Sequence, residues 1–340
     1  RLRAPYAHAV EVLRSGAAPA PMSRGADGVW ALTTAPLEPD FYPYVFREDG
    51  VVLLDPANPS LVPNLVSPST LLHVPGPASL LWETNQVPHG TIHHEFYHSD
   101  VMGGERDFYV YTPPGYDPRS ARHYPVLYLL HGYTDDASAW TTVGRANVIL
   151  DNLIARGEAQ PMIVAMPLGY GAPEVLKVGE YRAFADHALR DRNYARFRET
   201  LLGEVMPRVE GEYQTEGSRE YRAIAGLSMG GAEALFVGLN DLGRFAWIGS
   251  FSGAIGSFHG EGPDNFRQSY PDLQADDNYR ISLLWLACGR EDGLHVGTNR
   301  HFDAWLKERG IRHTYVETGG EHTWMVWRRN LAAFAPLLFR

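Results

Sequence analysis

Three short segments in the second half of the chain carry residue types that can do chemistry together. They are Gly226-Leu227-Ser228-Met229-Gly230-Gly231, Cys288-Gly289-Arg290-Glu291-Asp292-Gly293 and Gly319-Gly320-Glu321-His322-Thr323-Trp324. A serine hydroxyl is a weak nucleophile near neutral pH and needs a base to take its proton. That base, a histidine, needs an acid to fix its tautomer and stabilise its charged form. The chain order Ser228, Asp292, His322 matches this division of labour in a strand-turn-helix serine hydrolase. Glu291 is the rival acid beside Asp292, and Glu321 reads as a solvated neighbour of His322.

Acyl transfer through Ser228 also needs two fixed N–H donors for the oxyanion. The backbone N–H of Met229, next after the serine, is one candidate. The other is Tyr133 in Leu129-Leu130-His131-Gly132-Tyr133, which ends an early apolar run. His131 precedes the nucleophile and reads as a structural histidine that holds this loop. Trp140, Trp324 and Trp327 fall near the site loops and are candidates for a pocket that takes an aromatic group or a sugar. Ser252, after the strand that follows the elbow, reads as site-lining or turn-capping, not as a second nucleophile. His93, His94 and His98 resemble a metal cluster only in composition. His93 and His94 point to opposite sides of an extended segment, and no H-E-x-x-H or paired C-x-x-C is present, so no metal is expected.

These groups must be held by strands that end where they begin. Apolar runs expected as buried strands are Phe108–Thr112, Val126–Leu130, Met162–Met166, Ala223–Ala225, Phe245–Phe251, Leu283–Cys288 and Thr314–Glu317. Helical spacing joins Phe197, Leu201, Leu202, Val205, Val209 and Tyr213 on one face, and Leu150, Leu153 and Ile154 on another. Strands that alternate with helices predict a mostly parallel sheet covered on both faces, with the site at the strands' carboxyl ends. Residues 1–85 differ. Short runs at Ala9–Leu13, Val29–Thr33, Phe41–Phe46 and Val51–Leu54, separated by Asp27-Gly28 and Asp49-Gly50, predict a small β-sandwich. Leu61–Leu81 holds four prolines and reads as an extended connector. Two domains follow, 1–85 and 86–340. The polar stretch 255–279 is expected to be a lid or pocket wall.

The net charge of −10, from 40 acidic and 30 basic residues, leaves no basic footprint for nucleic acid. No stretch approaches the ~20 apolar residues of a membrane span. Cys288 is the single cysteine, so no intrachain disulfide can form, and its apolar run makes it a packed thiol. The chain starts at Arg1 rather than Met. A processed form is therefore expected, secreted or periplasmic, with the cytoplasm still open.

Residues from about 90 to 340 resemble carbohydrate esterase family 1, within the esterase D-like hydrolases. The resemblance rests on Tyr111-Thr112-Pro113-Pro114-Gly115-Tyr116, Tyr124–Gly132, Pro161–Pro167, Gly226–Gly231, Cys288–Asp292 and Gly320–Trp327. One departure is Glu321, which stands between Gly320 and His322. The family implies an α/β-hydrolase fold, no cofactor, and hydrolysis of feruloyl or acetyl esters on plant cell-wall polysaccharide, with feruloyl favoured. A siderophore esterase and an acyltransferase of the mycolyl-transferring kind remain open as alternatives. Residues 1–85 are similar to early-set, immunoglobulin-like modules akin to family 48 carbohydrate-binding modules. Their landmarks are Asp27-Gly28-Val29-Trp30, Tyr42-Pro43-Tyr44 and Asp55-Pro56. Such a module implies structural support for the site ahead of glycan binding.

Overall fold

Val126–Leu130 is apolar at every position and buried on both sides. Its side chains alternate, as strand geometry demands. Leu127 and Leu129 join one apolar cluster, while Val126, Tyr128 and Leu130 join another. A computed structural model describes residues 1–177, 186–255 and 265–340 of the chain. It places this strand, β3, inside a sheet of eight. The others are β1 (Thr91–Ser99), β2 (Gly104–Thr112), β4 (Ile163–Pro167), β5 (Arg222–Leu227), β6 (Trp247–Phe251), β7 (Leu283–Gly289) and β8 (Thr314–Thr318). Their spatial order is β1-β2-β4-β3-β5-β6-β7-β8. The first two pairings, β1 with β2 and β2 with β4, are antiparallel. All the rest are parallel.

Helices cover both faces of this sheet. α1 (Ala146–Ala155) and α5 (Trp324–Phe334) supply Ile149, Leu153, Leu331 and Phe334 to the first cluster. α2 (His187–Thr200), α3 (Ser228–Asn240) and α4 (Val296–Glu308) pack on the other face through Phe197, Leu235 and Phe302. α2 runs on through a π-helical turn, Leu201–Val205, into Met206–Glu212. Phe197, Leu201, Val205 and Val209 are all buried along this run, so the helical spacing read from the sequence survives the bulge. Among the described residues no helix is long and apolar enough to cross a membrane.

Residues 1–74 form two antiparallel sheets. One has three short strands, Leu2–Arg3, Val29–Ala31 and Ser23–Arg24. The other is built on Asp40–Glu48, flanked by Val10–Arg14 and Ser69–Val74. Leu2 and Trp30 of the first sheet pack with Val10 and Phe46 of the second. Leu61–Leu81 is not a connector. It supplies Leu61–Val62 and Ser69–Val74 to the larger sheet. Pro63, Pro68 and Pro75 sit just outside these strands, where a residue without an N–H breaks no ladder.

The β-region packs directly against the helices of the large sheet. Phe41, Val62, Leu71 and Trp82 belong to the same apolar cluster as α1 and α5. Asp40 is fully buried and accepts from Arg328 on α5, whose side chain is also fully buried, and from the neighbouring Arg329. Arg328 also donates to the carbonyls of Phe41 and Val143.

Candidate active site

β5 ends at Leu227 and α3 begins at Ser228 without a linking residue. The turn is therefore sharp, and Ser228 takes φ 50°, a left-handed conformation rare for a residue with a side chain. A Cβ on Gly226 would collide with the Gly230 backbone, and one on Gly230 would collide with the His131 carbonyl. Only glycine fits at either position. The result projects Ser228 from the carboxyl end of the sheet with the first N–H groups of α3 beside it, which have no intrahelical partner.

Ser228 Oγ lies 3.0 Å from His322 Nε2. His322 Nδ1 lies 2.7 Å from Asp292 Oδ2. Asp292 follows β7 and has a fully buried side chain, while that of His322, after β8, is one-fifth exposed. Burial alone would raise the Asp292 carboxyl. The hydrogen bond and charge of His322, with the N–H of His295, outweigh it and hold the carboxyl below its ordinary value. Its second oxygen accepts from the N–H groups of Leu294 and His295, each at 3.1 Å. Both oxygens are therefore pinned, and the carboxylate presents one lone pair to the histidine. The Cys288 thiol sits behind it, 3.8 Å from Oδ2. Burial, then the charge of Asp292, push that thiol up to about 12, so it is an inert packed group.

The rival acid is turned away. Glu291 is exposed, and its carboxylate accepts from the Gly320 N–H. That contact ties the acid loop to the histidine loop. Glu321 is exposed. His295 had no signal in the sequence beyond its place three residues after Asp292. Its ring lies 4.8 Å from that of His322. Burial, then the nearby His322, lower it to about 4, so it is a neutral wall against the His322 ring.

The loop after β3 approaches the same point. A Cβ added to Gly132 would lie 3.5 Å from Ser228 Cβ and would collide with Leu227. Tyr133 follows in the pocket wall. His131 is buried. Its Nε2 accepts from the Gly169 N–H at 2.9 Å and its Nδ1 lies 2.8 Å from the Gly132 carbonyl. An N–H can only donate, so Nδ1 carries the proton. Burial lowers this imidazole to about 4. A neutral, doubly bonded ring cannot serve as a base at neutral pH, and His131 holds the loop instead.

Ser228 and His322 open into a pocket of about 220 Å³. Trp324 and Trp327 line it beside Gly132, Tyr133 and Leu227. Trp327 meets the His322 ring edge-on at 4.8 Å. Trp140 does not line it. It is 1% exposed, its indole N–H bonds the Leu130 carbonyl, and it packs against Trp324 from behind. The opposite wall comes from the β-region through Ser15, Pro43, Val62, Asn64, Ser67 and Ser69. Asp135 is in this pocket too, and burial pushes its carboxyl up to about 8.

Ser252 is fully buried at the end of β6, with its N–H on the Ala287 carbonyl. His93, His94 and His98 pair separately with Thr112, Asp107 and Glu105. Among the described residues no group of three metal-ligating side chains occurs. Of the expected lid, 256–264 lie outside the described residues. From 265 onward Phe266, Tyr270 and Leu273 are buried in the sheet's second cluster, away from the pocket.

This architecture has solved counterparts. A ferulic acid esterase from Anaeromyces mucronatus aligns at a TM-score of 0.65 with 24% identity, over 78% of this chain and 96% of that one. An enterobactin esterase from Shigella flexneri aligns at 0.74 with 19% identity, over 98% and 91%. At these identities the likeness is one of fold, the α/β-hydrolase fold. In sequence, an endo-1,4-β-xylanase/feruloyl esterase of Xylanibacter ruminicola is 28% identical across 94% of this chain, which spans 41% of that protein's length. An acetyl esterase of Caldicellulosiruptor saccharolyticus is 27% identical over 61% of this chain and 80% of its own. Residues 99–338 match the Esterase family, described as "Putative esterase", and the chain belongs to that family.

Proposed function

We propose that the protein is a serine carboxylic-ester hydrolase that releases feruloyl or similar hydroxycinnamoyl groups from plant cell-wall polysaccharide. The observation that carries the reaction class is the unbroken hydrogen-bond chain from Ser228 through His322 to Asp292 at the floor of an open pocket. Ser228 Oγ attacks the ester carbonyl as His322 Nε2 takes its proton. Asp292 keeps Nδ1–H pointed away from the serine and stabilises the imidazolium. The N–H groups of Met229 and Tyr133 receive the oxyanion. His322 then protonates the departing alkoxide and later takes a proton from the water that cleaves the acyl-enzyme. No metal or organic cofactor enters any step.

The two unlike pocket walls support the substrate class. Trp324 and Trp327 offer aromatic faces, which suits a planar aromatic acyl group. Ser15, Ser67 and Ser69 offer hydroxyls, which suits a sugar. The β-region, as an immunoglobulin-like domain of residues 1–85 ahead of a hydrolase domain 86–340, therefore acts as part of the site rather than as a distant glycan anchor. Relatives named for xylan-degrading enzymes support a role outside the cytoplasm.

A siderophore esterase is the second reading, favoured by the match to the enterobactin esterase over nearly the whole chain. A ferric catecholate is anionic and calls for cations. Among the described residues that line the pocket none is Lys or Arg. The deciding experiment compares kcat/KM on methyl ferulate, acetylated xylan and a catecholate triester. Preference for methyl ferulate and release of ferulate from arabinoxylan are expected. Faster turnover of either other substrate overturns the assignment of the acyl group.

A further inference from the structure

We infer that Asn64 and Leu65, in the β-region, position the oxyanion loop of the hydrolase, so that the N-terminal region acts on the rate of the chemical step. This rests on the reading of Tyr133 as an oxyanion donor. The loop runs Gly132-Tyr133-Thr134-Asp135, and Thr134 takes φ 72°. A β-branched residue in that region is an outlier that its surroundings must enforce.

The enforcing contacts come from about seventy residues earlier. The Leu65 N–H donates to the Thr134 carbonyl at 2.8 Å. Asn64 Nδ2 donates to Thr134 Oγ1 at 2.9 Å and to Asp135 Oδ1 at 3.3 Å. The direction of these bonds is settled by the other end of the amide. Asn64 Oδ1 accepts from the N–H groups of Val66 and Ser67, at 3.0 and 2.8 Å. An oxygen can accept there and a nitrogen cannot, so the NH₂ faces the loop. Asn64 is thus a rigid strut, fixed to its own turn and gripping the side chains of the strained residue and of the one after it, while Leu65 grips the Thr134 backbone carbonyl. On the far side the loop is held by the Gly132–His131 and Tyr170–Asp135 bonds. Tyr133, between the two sets of anchors, is left with one geometry.

Asn64→Asp removes the donated bonds, and Asn64→Leu, which puts no charge beside Asp135, is measured in parallel and should lose kcat by the same factor. The introduced carboxylate still accepts from Val66 and Ser67 but cannot donate to Thr134 or Asp135. A small displacement of a transition-state donor costs up to about a hundredfold. We expect kcat on a short-chain nitrophenyl ester to fall about 10- to 100-fold with KM within threefold, the pattern of an interaction made only in the transition state. Binding of a boronic acid, which forms a tetrahedral adduct on Ser228, should weaken by a similar factor. Asn58→Asp is the control, since that amide bonds Leu71 and Tyr44 within the β-region, and it should leave kcat unchanged. If Asn64→Asp does not give folded protein, Thr134→Val removes the same bond from the loop side and should reproduce the kcat loss. The inference is overturned if a folded variant at Asn64, or Thr134→Val, keeps kcat within twofold, or if the Asn58 variant loses as much as the Asn64 variants. Retention of activity by Ser228→Ala would instead overturn the hydrolase reading itself.

Discussion

Ser228 and Thr134 line one pocket, and both hold a left-handed backbone that their side chains disfavour. Each such residue costs of the order of 1–3 kcal/mol and persists only where its surroundings over-determine it. They are held in different ways. Ser228 is fixed by its own neighbours, a buried strand before it, a helix after it, and glycines at 226 and 230 that let the backbones close. Thr134 has no glycine within its strained turn beyond Gly132 and is gripped by Asn64 and Leu65 from another part of the chain. Strain held locally leaves a sequence pattern, and strain held from afar leaves none.

The comparison can be broken at either end. The largest effect is expected for Ser228→Ala, about 10⁵-fold or more in kcat on a chromogenic ester, since removing the nucleophile removes the whole triad mechanism. Activity within tenfold of wild type would sink the assignment. Next comes Asp40→Ala, which leaves Arg328 buried without its partner. Breaking such a pair costs about 3–5 kcal/mol. Denaturant unfolding should show that loss, and activity should decline in step with the unfolded fraction.

The third effect is a pH dependence of stability from His131. Its folded value near 4 lies below the ordinary 6.5. The unfolded chain therefore takes the proton first as pH falls. Stability is complete above about pH 6.5 and is lost toward pH 4, by about 3 kcal/mol for this one group. His295, lowered in the same direction, adds to the trend. Unfolding midpoints between pH 7 and 4 should fall more steeply for wild type than for His131→Asn, and equal slopes would refute the neutral, buried assignment. The smallest effect is the sharpest contrast. Thr134→Gly relieves the strained conformation but adds freedom to the unfolded chain, so its stability should change by no more than about 1 kcal/mol while kcat drops. If kcat holds, the strain at Thr134 has no bearing on the reaction.

What could be read in the sequence follows the same division. Seven of the eight strands were legible as apolar runs, most of them because burial on both faces writes continuous apolar sequence, whereas β1 is a largely exposed edge strand of mixed polar residues and leaves no such run. Ser228, Asp292 and His322 were legible because each sits in a glycine-rich turn after such a run, and the structure brings their side chains into contact. Asp292 was separable from Glu291 only by the direction of one turn residue. Trp140 was misplaced because sequence proximity to a loop says nothing about which way an indole points, and this one bonds a carbonyl inside the core. Leu61–Leu81 was misread because its prolines suggest a disrupted segment, whereas they bracket strands. The polar wall of Ser15, Asn64, Ser67 and Ser69 could not be found, because it exists only where segments far apart in sequence pack together.

The contact between Asp40 and Arg328 also bears on how the molecule is made. Two residues 288 positions apart close one buried pair, and Phe41 and Trp82 share a core with Leu331 and Phe334. During synthesis the first β-strands leave the ribosome long before α5 exists to cover them. At translation rates of about 5–20 residues per second that interval lasts tens of seconds. Through it the nascent chain presents an apolar surface and an unneutralised carboxylate at Asp40, whose charge keeps that surface wet until its partner arrives. The buried pair and the core it belongs to can therefore close only after the last helix has emerged.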